Sequence, residues 1–196
     1  MHYLDPIHII QTVGLIGIFI IVFMESGVFF GFFLPGDSLL FTAGLFAHAG
    51  YLPFFPLIIG CAIAAILGDT VGYMTGLHIG PRLFVKEGSL FFKKKHLHEA
   101  EYFYKKHGTK TIFFARFIPI VRTFAPIVAG VGKMHYRTFI SYNIIGGIVW
   151  AFLIPTIGYY VGSFFPDAQK YLLPITIGVV ILSLLPLIKK MLKKYF

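Results

Sequence analysis

Charged residues are scarce in this sequence, and acidic residues are the scarcest. Of 196 residues, 13% are charged, only 8 are Asp or Glu, and 57% are hydrophobic, which gives a mean hydropathy of +0.81. A soluble globular domain needs more polar residues than this to cover its surface. The composition therefore argues against a soluble protein and predicts a membrane protein with several spans.

Cysteine is nearly absent as well. The one cysteine, Cys61, lies in the apolar segment LIIGCAIAAIL and has no intramolecular disulfide partner, so we expect a small packing residue. The start of the chain, MHYLDPIH, lacks the basic segment and cleavage site of a signal peptide, and we expect no cleavage. Because hydrophobic segments leave no room for a soluble catalytic domain, we expect a single membrane domain over residues 1–196.

The excess of basic residues gives a formal net charge of +9. These residues lie between hydrophobic segments rather than along one soluble face, which argues against nucleic acid as a partner. Most of them lie in the linker 81–110 and in the terminal KKMLKK. By the positive-inside rule, both should be cytoplasmic, whereas the loop 163–170, with one acid and one base, should face outward.

Several apolar regions approach or exceed the roughly 20 residues that a membrane-crossing helix needs. They are 7–50, 53–80, 138–162 and 171–188. Another apolar region, 111–132, is interrupted by two arginines and two prolines. Prolines remove backbone donors and buried arginines need partners, so this region is predicted to enter the membrane as a broken hairpin buried by other helices. The region around FLPGD in the first half has the same character.

The two halves of the sequence resemble each other weakly. FLPGDSLLFTAG matches FIPIVRTFAPIVAG at an offset of 84 residues, and DTVGYMTG matches PTIGYYVG at an offset of 86. We therefore predict an all-α integral membrane protein with two repeats, about 7–80 and 111–163, each a re-entrant broken hairpin followed by a transmembrane helix. A C-terminal transmembrane helix is predicted at 171–194. The basic linker gives the repeats opposite orientations, as in many transporters.

Four charged side chains lie in the two predicted hairpins. The first hairpin supplies Glu25 and Asp37, and the second supplies Arg116 and Arg122. Each charge costs about a few kcal/mol in hydrocarbon unless it is paired, and the break at Pro119 allows both arginines to face one cavity. One interpretation is structural ion pairs alone. The other is that the guanidinium groups bind an anionic phosphate headgroup while the acids accept protons or act as gates.

Other residues are expected to shape the cavity or the helix packing. Asp69, in LGDTVGYMTG, either lines the cavity or makes a polar contact between helices that pack closely at the neighbouring glycines. Asn143 and Trp150, in NIIGGIVW, are interpreted as interhelical hydrogen-bonding or interface residues. Pro35 and Gly36 form the break in the first hairpin.

The histidines of the linker do not form a compact ligand set. His96 and His98 diverge on a helix, so a basic amphipathic helix at the membrane surface is a better interpretation than a metal site. The sequence has no nucleotide-binding loop, catalytic triad or thiol nucleophile. We therefore expect neither an enzyme nor a bound metal or other cofactor.

The combination and order of these motifs resemble the DedA family, the bacterial and archaeal branch of the VTT-domain (SNARE-associated) membrane proteins. Over nearly the whole chain, a glutamate followed by FLPGD precedes GDTVGYMTG, FARFIPIVR and NIIGGIVW. The resemblance implies two opposed re-entrant hairpins, lipid translocation and dependence on the proton motive force. Carried over by motif, the acidic pair is Glu25 and Asp37 and the essential arginine pair is Arg116 and Arg122. Asp37 stands where many relatives have Glu.

The expected function is therefore a flippase that returns undecaprenyl phosphate, the carrier lipid of cell-wall synthesis, across the cytoplasmic membrane. Phosphatidylethanolamine also presents a phosphate, so a phospholipid flippase or scramblase is an alternative. A proton- or ion-coupled exchanger that affects lipids indirectly and a structural protein with a paired polar core are two others. The expected partners are a lipid with a phosphate headgroup, the membrane and protons, and the sequence leaves the oligomeric state open.

Overall fold

The computed structural model of the chain describes residues 6–27, 36–83 and 110–164, and within these ranges it contains helices and turns but no β-strand. The helices are α1 (Pro6–Gly27), α2 (Gly36–His48), α3 (Phe54–Leu83), α4 (Thr111–Ala115), α5 (Pro119–Val131) and α6 (Tyr136–Phe164). The all-helical part of the predicted fold class is thus confirmed. The predicted C-terminal helix, most of the basic linker and Pro35 lie outside the described residues.

Two helices are long and apolar enough to cross a membrane. They are the 25-residue segment Phe54–His78 of α3 and the 29-residue α6. At about 1.5 Å per residue each exceeds the roughly 30 Å of a hydrocarbon core. Exposed apolar side chains follow one face of α3 at intervals of three or four residues: Ile59, Ile63, Leu67, Val71 and Met74. Such a stripe suits contact with lipid, and both helices coincide with spans predicted from the sequence.

The described residues divide into two compact units, and helices α1, α3 and α6 each contribute to both. The first unit consists of 6–22, 36–61 and 151–164. The second consists of 23–27, 62–83 and 110–150. Each unit therefore combines residues from the first and second halves of the sequence.

In the first unit, α2 packs closely against α6. A Cβ atom added to Gly44 would lie 2.1 Å from the carbonyl oxygen of Pro155, and one added to Gly158 would lie 2.0 Å from the carbonyl oxygen of Phe41. No side chain fits at such distances, so glycine at both positions permits the two backbones to touch.

In the second unit, α5 packs against α3 in a similar way. A Cβ atom on Gly76 would lie 2.0 Å from the carbonyl oxygen of Ile127, and one on Gly130 would lie 2.0 Å from that of Tyr73. The Tyr73 hydroxyl also donates a hydrogen bond to the carbonyl oxygen of Met134, just beyond α5. Backbone contact and this buried hydrogen bond fix α5, and with it the arginine that α5 carries, against α3.

One glycine of each contact, on the short helix, occupies a corresponding position in the sequence repeat. Gly44 on α2 and Gly130 on α5 are 86 residues apart, which is the offset of the Gly-Tyr motifs. In each unit the short helix comes from one half of the sequence, and the long helix comes from the other half.

Replacing Gly76 by alanine is expected to destabilise the protein because its Cβ would overlap the backbone of α5. The free energy of unfolding should fall by about 1–3 kcal/mol, the usual cost of overpacking. Gly72→Ala is the matched control on the same helix, since its Cβ would lie an ordinary 3.4 Å from the Cβ of Pro126. Thermal unfolding in detergent compares the two variants, and equal melting temperatures would contradict the close contact between α3 and α5.

Candidate functional site

The end of α1 brings Glu25 against α3. A Cβ atom on Gly68 would lie 2.6 Å from the carbonyl oxygen of Phe23, and one on Gly27 would lie 2.9 Å from the carbonyl oxygen of Gly68. Asp69 follows directly in α3, and the side chains of both Glu25 and Asp69 are buried. Close packing at two glycines therefore places two carboxylates in the interior of the second unit.

A helix break separates the two arginines. Helix α4 ends at Ala115, Ile118 has an extended backbone with φ −114° and ψ 107°, and α5 begins at Pro119. Proline suits this first position because its nitrogen needs no hydrogen-bond partner there. The backbone N–H of Arg122 donates to the carbonyl oxygen of Ile118 at 2.9 Å, so Arg122 lies in the first turn of α5. The break predicted at Pro119 is present, and Arg116 occupies the turn that precedes it.

Arg116 is held by a carboxylate and an amide. Its Nη2 donates to Oδ2 of Asp69 and, at 3.2 Å, to Oδ1 of Asn143 on α6. The Asn143 Nδ2 donates in turn to the carbonyl oxygen of Ile66 at 3.1 Å. Breaking a buried ion pair on one side leaves an uncompensated charge at a cost of about 3–5 kcal/mol, so each partner needs a counter-ion in this position. It links α3, α6 and the turn after α4.

Arg122 pairs with the other carboxylate. Its Nη2 donates to Oε1 of Glu25, and the two side chains are 2% and 5% exposed. The Arg122 Cζ lies 4.6 Å from the centroid of the Trp150 ring, and the Arg116 Cζ lies 5.9 Å from it. Cation–π attraction therefore holds both guanidinium groups against one buried indole ring.

The second unit thus contains both arginines together with Glu25, Asp69 and Asn143. Asp37, the other acid assigned from the sequence, lies in the first turn of α2 in the first unit and is partly exposed. Gly36 is the buried first residue of α2. The carboxylate that pairs with Arg116 is Asp69 from α3.

Two residues that sequence reasoning gave no part in the site contact it directly. Trp150 is the single tryptophan of the chain and lies against both arginines, whereas its sequence context suggested only a packing or interface role. Gly147 lies beside Arg116, because a Cβ atom added there would be 2.5 Å from Nη1. Their positions in NIIGGIVW, four and seven residues after Asn143, are the one signal that could have drawn attention to them.

The guanidinium groups of this arrangement are suitable donors for an oxyanion. Its two guanidinium and two carboxylate groups balance in charge, and Nη1 of Arg116 and Oδ1 of Asp69 have no hydrogen-bond partner among the described residues. Within the described ranges, no group of three or more His, Cys, Asp or Glu side chains could hold a metal ion. An oxyanion is the ligand that the donors of a planar guanidinium match best.

Comparison with known proteins identifies the family. A family model of the VTT domain matches residues 34–160, a range that includes Asp69, both arginines, Asn143 and Trp150 but not Glu25. Protein DedA of Escherichia coli is 42% identical over 188 residues, covering 92% of this chain and 85% of that protein. The uncharacterized membrane protein ML0287 of Mycobacterium leprae is 40% identical over 186 residues, covering 95% and 83%.

A more distant relative is inner membrane protein YqjA of Escherichia coli, which is 32% identical over 146 residues and covers 74% of this chain and 66% of that protein. No solved structure matches the chain. The match to the VTT domain covers more than half of the chain, and the similarity to Protein DedA extends over most of both proteins. The chain is therefore a membrane protein and belongs to the DedA family of VTT-domain proteins.

Proposed function

We propose that this protein is a transporter that moves a lipid with a phosphate headgroup across the cytoplasmic membrane, with undecaprenyl phosphate as its leading substrate. The observation that carries the proposal is the pair of buried arginines, Arg116 and Arg122, against the ring of Trp150. Each guanidinium is a planar fork of donors that matches the oxygens of a phosphate. Nη1 of Arg116 has no hydrogen-bond partner among the described residues, so this guanidinium keeps a donor that Asp69 leaves unused.

The paired carboxylates favour transport over permanent binding. A buried arginine without a counter-ion would be unfavourable between transport events, and a carboxylate supplies that counter-ion when no lipid is bound. Protonation of Glu25 and of Asp37, the second acid of the family motif, would then couple lipid transport to proton movement or gate the transport cycle. Protons are accordingly proposed as a partner, and the proton motive force as a source of energy.

An inverted-repeat architecture agrees with the contacts of the two units. In both pairs, α2–α6 and α5–α3, a short helix touches the backbone of a long helix at glycines. The short-helix glycines, Gly44 and Gly130, are 86 residues apart, which is the offset of the repeat. We infer re-entrant hairpins in opposite orientation, a cytoplasmic linker and C-terminus, and an outward-facing loop 163–170.

Cysteine labelling at Lys94 and Asp167 in a Cys61→Ala background tests this orientation. Lys94 should be labelled from the cytoplasm and Asp167 from outside, and labelling of both positions from the same side would contradict the orientation.

Purified protein reconstituted into liposomes tests the function directly. Sided accessibility of undecaprenyl phosphate, and of phosphatidylethanolamine in a parallel preparation, should change with time in proteoliposomes but not in empty vesicles. The lipid recovered should be chemically unchanged, because we propose a transporter and not an enzyme. Proton flux without lipid movement would indicate an ion-coupled exchanger instead, and the absence of both would indicate a structural protein.

A further inference from the structure

Asp69 occupies a position on Arg116 that a phosphate would need. The Arg116 Nη2 donates to Oδ2 of Asp69, and the two side chains are 3% and 5% exposed. The pair has a single hydrogen bond, since Nη1 of Arg116 and Oδ1 of Asp69 have no partner in the described part of the chain. Because a phosphate can engage a guanidinium with two oxygens, Arg116 has hydrogen-bonding capacity that Asp69 leaves unused.

Charge balance prevents Arg116 from holding both anions together. Two positive and two negative side chains meet in this part of the second unit: Arg116, Arg122, Glu25 and Asp69. A phosphate monoester brings one or two further negative charges into a buried site. Since an uncompensated buried charge is strongly unfavourable, an ionised Asp69 and a phosphate must compete for the same guanidinium.

We propose that Asp69 is an exchangeable internal counter-ion, which a phosphate headgroup displaces from Arg116 and which returns when the phosphate leaves. The displaced carboxylate takes up one proton from solvent, and the proton is released when Asp69 pairs with Arg116 again. The charged groups that face Asp69 from the packed elements are Arg116, after α4, and Arg122, on α5, which is itself paired with Glu25 on α1. This inference rests on the proposed function because it concerns the same arginine.

Asn143 allows the exchange to occur without moving the arginine. Its Oδ1 accepts from the same Nη2 at 3.2 Å, and its Nδ2 is anchored to the carbonyl oxygen of Ile66 at 3.1 Å. An amide is neutral and does not compete with an anion for charge. The hydrogen bond from Arg116 to Asn143 can therefore persist in both states, which makes Asn143 a positioning residue.

The test compares phosphate binding by the detergent-solubilised full chain and its Asp69→Asn variant. Trp150 is the only tryptophan and lies 5.9 Å from the Arg116 Cζ and 4.6 Å from the Arg122 Cζ, so its fluorescence reports binding at this pair of arginines. Farnesyl phosphate is the lipid-like probe, and inorganic phosphate runs in parallel. Without the competing carboxylate, Asp69→Asn should bind at least one probe about tenfold more tightly than the unmodified chain. The probe that gains more identifies the source of the phosphate as a lipid headgroup or a free ion.

Thermal unfolding provides a second measurement, and it can be made even if Asp69→Asn is folded only when the probe is bound. A phosphate that replaces the missing carboxylate should raise the melting temperature of Asp69→Asn by several degrees more than that of the unmodified chain. Extraction in the presence of the probe should recover folded variant if the variant is unstable alone. Thr75→Val is the control, since Thr75 is exposed on α3 and its hydroxyl donates to the carbonyl oxygen of Val71 at 2.8 Å. This control should behave like the unmodified chain.

Equal or weaker binding by folded Asp69→Asn would overturn the exchange, and so would a variant that neither probe recovers in folded form. Either result leaves the proposed function in place if liposomes still show lipid transport that depends on Arg116. Conversely, tighter phosphate binding by Asp69→Asn, together with no lipid movement by the unmodified chain, would retain the anion exchange and reject the lipid transporter.

Discussion

Substituting lysine for Arg116 or Arg122 is expected to lower lipid transport in liposomes about tenfold or more while the protein stays folded. Lysine keeps the positive charge but loses the planar fork that binds two phosphate oxygens at once. Hydrogen bonds to charged groups contribute about 1.5–3 kcal/mol each, which corresponds to roughly 10- to 150-fold in rate if the bond is made in the transport cycle. Initial rates of lipid movement for each variant, at equal protein content, measure the effect.

Arg137→Lys is the matched control for these two substitutions. Arg137 is exposed near the start of α6, outside the buried cluster, so the same exchange there should leave transport unchanged. Melting temperatures of all three variants separate a loss of phosphate recognition from a loss of folding. Unmodified rates in both Arg116→Lys and Arg122→Lys would contradict recognition of the headgroup by guanidinium.

The long helices were the most predictable part of the fold. Few arrangements other than a membrane helix accommodate more than 20 consecutive residues with a single acid, so α3 could be located from hydropathy alone. The break before α5 was also predictable, because Pro119 lacks the N–H that a continuous helix would use. The partners of these helices were not predictable in the same way. The glycines of α3 indicate close packing, but only the folded chain shows that Gly76 touches the backbone of Ile127.

The charged cluster was only partly predictable. Buried acids and arginines in one membrane domain are expected to balance each other in charge, but the sequence does not determine which acid pairs with which arginine. From the sequence, a lone acid within a helix, such as Asp69, could either line a cavity or make a polar contact with a neighbouring helix. Two contacts decide between these possibilities. Gly68 touches the backbone of α1 beside Asp69, and the turn after α4 places Arg116 against the Asp69 carboxylate. These contacts are tertiary, and no local pattern encodes them.

Substituting alanine for Gly147 is expected to reduce transport about tenfold or more with a comparatively small loss of stability. The added Cβ would lie 2.5 Å from Nη1 of Arg116 and 2.8 Å from Cγ1 of Ile66, so something must move. The tip of an arginine side chain moves more easily than packed backbone, and its displacement would break the hydrogen bonds to Asp69 and Asn143. Because the arginine tip can move away, the free energy of unfolding should fall by an amount near the lower end of the usual range for overpacking, about 1–3 kcal/mol.

Gly146→Ala separates this effect from a general intolerance of alanine in α6. The nearest atoms to a Cβ at Gly146 are Cδ2 of Phe113 at 3.5 Å and Cδ of Arg116 at 3.6 Å, which are ordinary contacts. Alanine also favours a helix over glycine by about 1 kcal/mol, so Gly146→Ala should fold as well as the unmodified chain and transport at a similar rate. Fluorescence of Trp150 should shift in Gly147→Ala, because the displaced guanidinium changes its surroundings, but not in Gly146→Ala. Equal transport and equal fluorescence in the two variants would show that the position of Arg116 beside Gly147 does not matter to the site.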